Sequence, residues 1–197
     1  EKVKELNPQG LNVTIPYKKA VLPFLDDLDE VAKEIGAVNT IVFKNGKLKG
    51  HNTDAFGFHQ SINPFFKPHH ERALILGTGG ASKAVEYVLK QYGVDVMFAS
   101  RNDSKDNVLN WNDINENAIK HHLLIINCTP LGMFPNIASK PVIPYSALTE
   151  RHLLVDLVYN PDETLFLKLG KENGAKVING LTMLQQQAEK SWRLWND

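Results

Sequence analysis

Three apolar runs mark the middle of this chain: Arg72 to Leu76, His122 to Asn127 and Leu153 to Val158. Each is too short for a helix and lacks the apolar–polar alternation of a half-exposed strand. Such runs predict strands buried on both faces of a parallel sheet. Val94 to Ala99 and Lys176 to Asn179 read as further strands of the same sheet. Helix-period segments lie between them. Ala81 to Tyr92 is closed by Gly93, Glu163 to Asn173 is stopped by Gly174, and a last helix runs from Gly180 to about Trp195. Leu181, Leu184, Ala188 and Trp192 form the expected buried face of that last helix, with Gln187 beside it.

The first third has a different rhythm. Residues 1–10 read as a helix end followed by the turn Asn7-Pro8-Gln9-Gly10. Leu11 to Ile15 alternates as a half-buried strand, and Pro16 suits the first position of a helix. Tyr17, Lys18 and Lys19 would then occupy a first helical turn, where the dipole mildly disfavours a cation; solvated lysines are the simple reading. A helix is expected over Leu25 to Ile35, with Asp26 and Asp27 in its first turn and Gly36 after its end. Ala37 to Phe43, the turn Asn45-Gly46 and Lys47 to His51 predict a hairpin. In Asn52-Thr53-Asp54, Thr53 or Asp54 would cap the helix Ala55 to Ile62. Asn63-Pro64 and Pro68 then mark a break.

The expected architecture is therefore α/β and two-lobed. An α/β lobe over 1–54 precedes a Rossmann-type, doubly wound parallel sheet over 55–179, and the helix of 180–197 packs back on the first lobe. Two lobes with a glycine turn between them imply a cleft.

Composition narrows the function. A formal net charge of zero removes the basic field that would argue for nucleic acid or an anionic membrane surface. The seven histidines show no metal-ligand spacing, and the pairs His69-His70 and His121-His122 read as solvated. Cys128, the single cysteine, has no partner for an internal disulfide, which suits a reducing compartment such as the cytoplasm. No apolar run approaches the ~20 residues of a membrane-spanning helix.

The richest chemistry follows the first apolar run. Gly77-Thr78-Gly79-Gly80 passes directly into the helix that starts at Ala81. Strand, glycine turn and free helix N–H groups together make a site for a pyrophosphate; a plain tight turn is the alternative. NAD-binding folds usually end their second strand in an acid that holds the ribose 2′-hydroxyl. Here Ser100-Arg101-Asn102 offers an arginine, which favours a 2′-phosphate and hence NADP.

Six motifs occur in order: Asn12-Val-Thr-Ile-Pro-Tyr-Lys18, Gly36-Ala-Val-Asn-Thr40, Gly50-His-Asn-Thr-Asp54, Gly77-Thr-Gly-Gly-Ala81, Asn127-Cys-Thr-Pro-Leu-Gly-Met133 and Gly180-Leu-Thr-Met-Leu-Gln-Gln-Gln187. Together they resemble the shikimate dehydrogenase family along nearly the whole chain. The resemblance implies reversible reduction of 3-dehydroshikimate to shikimate with NADP, a step of the shikimate pathway toward chorismate and the aromatic amino acids. It implies Lys18 and Asp54 as catalytic residues, and Thr14, Asn39, Tyr159 and Gln187 as further substrate contacts. It implies a cofactor site of Gly77, Thr78, Gly79, Gly80, Ala81, Ser100, Arg101, Thr129 and Gly180, with no metal. Ser100 and Asn102 depart from the family's Asn-Arg-Thr pattern, while Arg101 keeps it.

The family also carries an N-terminal βα segment whose Ser-x-Ser motif binds the substrate carboxylate, and nothing here resembles it. Weak or no activity is expected of these 197 residues alone. A quinate/shikimate dehydrogenase using NAD, a non-catalytic dinucleotide-binding paralogue and a folate-linked dehydrogenase are the competing readings. The expected partners are the small-molecule substrate and, as monomer or homodimer, at most a second copy of the chain.

Overall fold

The computed structural model describes residues 8–101 and 107–196. The expected helix end within residues 1–7, and Asn102, lie outside them. Two sheets organise the chain. The first has four strands, β1 (Gly10–Asn12), β2 (Asp27–Leu28), β3 (Thr40–Lys44) and β4 (Lys47–His51), in the order β1-β3-β4-β2. β3 and β4 form the expected hairpin, and Asn45 and Gly46 both take positive φ at its turn, 54° and 74°. β2 runs parallel to β4. Gly50 is closely packed at that crossing, since a Cβ there would sit 2.6 Å from Leu25 Cδ1 and 2.7 Å from Val38 Cγ2.

Two expected helices in this lobe give way to tertiary demands. Residues 15–21 form consecutive turns instead of a helix begun by Pro16. The Lys18 carbonyl accepts the Val38 N–H at 2.8 Å, so it is bound across the fold and not to a helical partner. The helix expected from Leu25 begins only at Glu30, as α1 (Glu30–Ile35). Asp26 accepts the Leu48 N–H at 2.7 Å and Asp27 lies in β2, so the sheet edge takes these residues first. Asp29 is the actual cap, accepting the Ala32 N–H at 2.6 Å.

The second sheet is wholly parallel. Its strands are β5 (Arg72–Leu76), β6 (Asp95–Ser100), β7 (Val108–Asn110), β8 (Leu124–Asn127), β9 (Leu153–Asp156) and β10 (Lys176–Ile178), in the order β10-β9-β8-β5-β6-β7. This is the doubly wound dinucleotide-binding order, with its reversal between β5 and β8. Around it lie α2 (Asp54–Ile62), α3 (Gly80–Gln91), α4 (Glu116–His121), α5 (Leu165–Glu172) and α6 (Leu181–Asn196). β7 and α4 have no apolar run of their own and carry no sequence signal of comparable strength. Alternate strand residues feed two cores. Ala73, Ile75, Leu124 and Ile126 pack with Phe58, Ile62, Val85 and Leu89 on one side; Leu74, Leu76, Ile125 and Leu154 pack with Ile119, Phe166 and Leu167 on the other. Burial on both faces explains the unbroken apolar runs.

α6 packs along α2 and reaches β3. Its inward face differs from the one expected. Leu181, Leu184, Ala188 and Trp192 are exposed, whereas Met183 and Ser191 are buried. The approach to α2 is tight at Gly57, where a Cβ would lie 2.5 Å from the Met183 carbonyl oxygen. At the far end, the Trp195 indole N–H donates to the Ile41 carbonyl at 3.1 Å. Polar bonding to β3 therefore outweighs apolar count in choosing the face.

One member of each histidine pair differs from a solvated reading, while His121 is exposed as expected. His70 is buried: its Nδ1 accepts the Lys67 N–H at 3.0 Å, and its Nε2 lies 3.3 Å from the Arg151 carbonyl oxygen. A carbonyl only accepts, so the neutral ring carries its proton on Nε2. Burial, aided by neighbouring His69, pushes His70 down to about 4. His122 is held through Nδ1 to the Ala118 carbonyl at 2.6 Å. Among the described residues no His, Cys, Asp or Glu cluster could hold a metal, and no helix is long and apolar enough to cross a membrane.

Candidate active site

Lys18 leaves the turn region after β1, and Asp54 opens α2. Their side chains meet, with Lys18 Nζ 2.6 Å from Asp54 Oδ2. The carboxylate side chain is 8% exposed and the lysine 15%, so the pair is largely desolvated yet reachable. Asp54 Oδ1 accepts the Asn39 amide at 2.9 Å. Asn39, between α1 and β3, is nearly buried and also reaches Thr53 Oγ1 at 2.9 Å and Gln187 Oε1 at 3.3 Å. Its side-chain Oδ1 accepts the Thr53 N–H at 2.7 Å.

Thr53 therefore does not cap α2 with its side chain, contrary to the capping expectation, and Asp54 is spent on Lys18 and Asn39. The nearest substitute for a cap is Asn52 Oδ1, which accepts the Ala55 N–H at 3.2 Å. Freeing Thr53 and Asp54 from capping makes them available to the cluster.

A hydroxyl layer lies beneath. Ser191 Oγ on α6 is 2.7 Å from Thr40 Oγ1 and 3.1 Å from Thr53 Oγ1, and it donates to the Gln187 carbonyl at 2.9 Å. Thr40 and Ser191 escape sequence reading because small hydroxyls on a strand and a helix carry no local signal of pairing. Gln187 is brought to this cluster from the far end of the chain. Thr14 is exposed, and among the described residues no side chain engages its hydroxyl. Tyr159, just beyond β9, is 49% exposed, and no described contact ties it to the Lys18 cluster.

The glycine turn lies at the order reversal of the parallel sheet. Gly77 has φ 103°, and a Cβ on it would meet Thr129 Cγ2 at 3.0 Å, so both backbone and neighbour demand glycine. Gly79 caps α3 with no side chain bonding to its first-turn N–H groups. Around Gly79 and Gly80 a Cβ would meet nothing within 4 Å. Open space over unfilled helix N–H groups fits an approaching phosphate. Thr78 and Ala81 flank this turn. Arg101 is exposed directly after β6, next to Ser100. Gly180 sits tight on the Leu157 backbone at the start of α6, which accounts for its missing side chain by packing. Cys128, whose thiol is pushed up by burial, packs against the core.

A cavity of about 500 Å³ lies elsewhere, lined by Asp29, His51, Phe56, Tyr87 and Lys190. It shares Asn52 and Thr53 with the cluster, but neither Lys18 nor the glycine turn lines it. The paired charges mark the site better than the void does.

A parallel sheet in this order, with open space at the glycine turn by its reversal and a largely buried lysine–carboxylate pair beside the four-stranded sheet, has the architecture of a dinucleotide-binding α/β protein. Residues 1–41 match the family model described as the shikimate dehydrogenase substrate binding domain. The NADP(+)-type shikimate dehydrogenase of Halothermothrix orenii is 42% identical over 99% of this chain and 74% of its own length. The chorismate mutase/shikimate 5-dehydrogenase fusion protein of Clostridium acetobutylicum superposes with a TM-score of 0.88 at 39% identity, over 100% of this chain and 74% of that one. The Thermus thermophilus shikimate 5-dehydrogenase, solved with NADP(H) and shikimate, gives 0.85 at 34% identity over 98% and 76%. The chain belongs to the shikimate dehydrogenase family, and it spans about three-quarters of the length of these relatives.

Proposed function

We propose that the intact protein carries out the reversible, NADP-dependent reduction of 3-dehydroshikimate to shikimate, with Lys18 and Asp54 as its catalytic pair. The observation that carries this reading is the 2.6 Å contact between Lys18 Nζ and Asp54 Oδ2, braced by Asn39 on the other carboxylate oxygen. NADPH at the glycine turn supplies the hydride. Reduction of a ring ketone leaves negative charge on its oxygen, and that oxygen needs a proton. The Lys18 ammonium stabilises the charge and delivers the proton; in the reverse direction neutral Lys18 takes it back. Asp54 fixes the ammonium and accepts from a ring hydroxyl. Thr14, Asn39 and Gln187 are assigned to the remaining ring hydroxyls, and Tyr159 to a further substrate contact. Residues 1–54 with 180–197 make the substrate lobe, and 55–179 the cofactor lobe, in a protein of the reducing cytoplasm.

Gly77, Thr78, Gly79, Gly80 and Ala81 are assigned to the pyrophosphate, Ser100 and Arg101 to the 2′-phosphate, and Thr129 and Gly180 to further contacts with the cofactor. The exposed guanidinium of Arg101, where an NAD enzyme would carry an acid, supports NADP. The test is shikimate-dependent reduction of NADP, run beside NAD, on the intact gene product. Turnover preferring NADP is expected. Lys18→Ala and Asp54→Ala should each lower kcat by about 10²–10⁴-fold with NADPH still bound. Near-normal kcat in Lys18→Ala would reject the assignment of the pair, and equal use of NAD would reject that of Arg101.

A further inference from the structure

Beneath the carboxyl ends of β8 and β9 lies a second polar cluster, apart from the Lys18 pair. Asp156 and Asn127 are each fully buried. Asp156 Oδ1 accepts the Asn127 amide at 3.0 Å and the Val158 N–H at 3.0 Å, while Oδ2 accepts the Thr164 hydroxyl at 2.6 Å. Asn127 Oδ1 in turn accepts both the N–H and the hydroxyl of Thr129, at 3.0 and 2.6 Å. Thr129 Oγ1 then accepts the Leu131 N–H at 3.2 Å.

This arrangement joins two loops that leave adjacent parallel strands. The loop after β8 places Thr129 Cγ2 against Gly77 of the glycine turn. The loop after β9 runs through Val158, whose carbonyl accepts the Gly180 N–H at 3.1 Å, to Tyr159. Thr164 closes the set, because it caps α5 and stands 3.2 Å from where a Cβ on Gly132 would be. An acid buried in an otherwise apolar strand costs free energy unless hydrogen bonds compensate it, and here Asn127, Val158 and Thr164 all donate to the carboxyl.

We propose that Asp156, acting through Asn127, is a positioning residue that holds the Thr129 loop against the glycine turn and in register with the Tyr159 loop. Neither residue touches substrate. The proposal rests on the functional reading above and assigns the inner support of its cofactor side. With Asp156 removed, the Asn127 amide loses its fixed orientation, and Thr129 loses the acceptor that holds it.

The test is direct titration of NADPH binding, with no turnover required, on the intact gene product and on Asp156→Ala, Asp156→Asn, Thr129→Val and the Asp156→Ala/Thr129→Val double variant. Asp156→Ala and Thr129→Val should each weaken NADPH binding about tenfold. The double variant should be little worse than either alone, because both break one chain of bonds. Asp156→Asn keeps an acceptor toward Asn127 and Val158 and should restore near-normal binding. Additive losses, or unaltered NADPH affinity in Thr129→Val, would overturn the proposal; Thr129→Val decides if Asp156→Ala does not fold. Absence of NADPH binding in the unaltered protein would remove the functional reading and this proposal with it. Normal binding in every variant removes this proposal alone.

Discussion

The glycines separate roles that sequence alone merges. A methyl on Gly79 would meet open space, and its φ of −72° suits any residue, so Gly79→Ala should fold with a stability change within about 0.5 kcal/mol. The same methyl would occupy the space into which a pyrophosphate approaches. NADPH affinity should therefore fall at least about tenfold, as read by fluorescence titration. Gly57→Ala reverses the pattern. Its methyl would press on the Met183 carbonyl at 2.5 Å and on Gln187 Cβ at 3.0 Å, prising α6 from α2 at a cost of about 1–3 kcal/mol in chemical denaturation. A Gly79→Ala protein that binds NADPH normally would deny the turn its phosphate role. Lys18 has the opposite character: its own neighbours do not reveal its partner, since Asp54 lies 36 positions away.

At the scale of elements, the link between α2 and β5 is tied down by His70. The ring must stay neutral to accept from the Lys67 N–H, and its folded pKa of about 4 lies below the ordinary value of 6.5. The unfolded chain therefore binds a proton first as pH drops. The stability that His70 supplies is complete above about 6.5 and is lost as pH falls toward 4. His70→Asn, with an acceptor oxygen in place of Nδ1, should flatten the fall of Tm over that window. An unchanged slope would mean that other groups set it. α6 makes a related point about elements. Its inward face carries Ser191 and Gln187 because Thr40 of β3, Thr53 and Asn39 offer hydroxyl and amide partners there, and a buried polar group with partners is tolerated.

For the molecule as a whole, the Asp156 cluster sets an opposing pH term. Burial raises its carboxyl to about 6 despite the bonds from Thr164, Val158 and Asn127, which pull the other way. A raised acid stabilises the fold fully below the unfolded value of 3.8, and that contribution is lost as pH climbs toward 6. Asp156→Asn removes the term. Relative to the unaltered protein it should gain on the order of 3 kcal/mol between pH 4 and pH 6 in urea unfolding. No relative gain would show that Asp156 ionises normally in the fold. His70 and Asp156 thus pull stability in opposite directions over an overlapping range, and single variants separate them.

What the sequence determined was local and periodic. The apolar runs of β5, β8 and β9, the Asn45-Gly46 turn, and the left-handed Gly36, Gly93 and Gly174 after helices all follow from backbone sterics and from two-sided burial. The ordered motifs carried the candidate site residues with them. Tertiary structure decided where competing partners were available. Lys18 lies in a turn because Val38 takes its carbonyl, and α1 starts only at Glu30 because the sheet edge takes Asp26 and Asp27. Thr53 and Asp54 serve Asn39 and Lys18 instead of a helix end. Of the deeper cluster, the sequence displayed the Asn127 to Met133 motif and an acid, Asp156, within an apolar run. Its meaning depended on Asn127, Thr129 and Thr164, which only the folded chain brings within hydrogen-bond range.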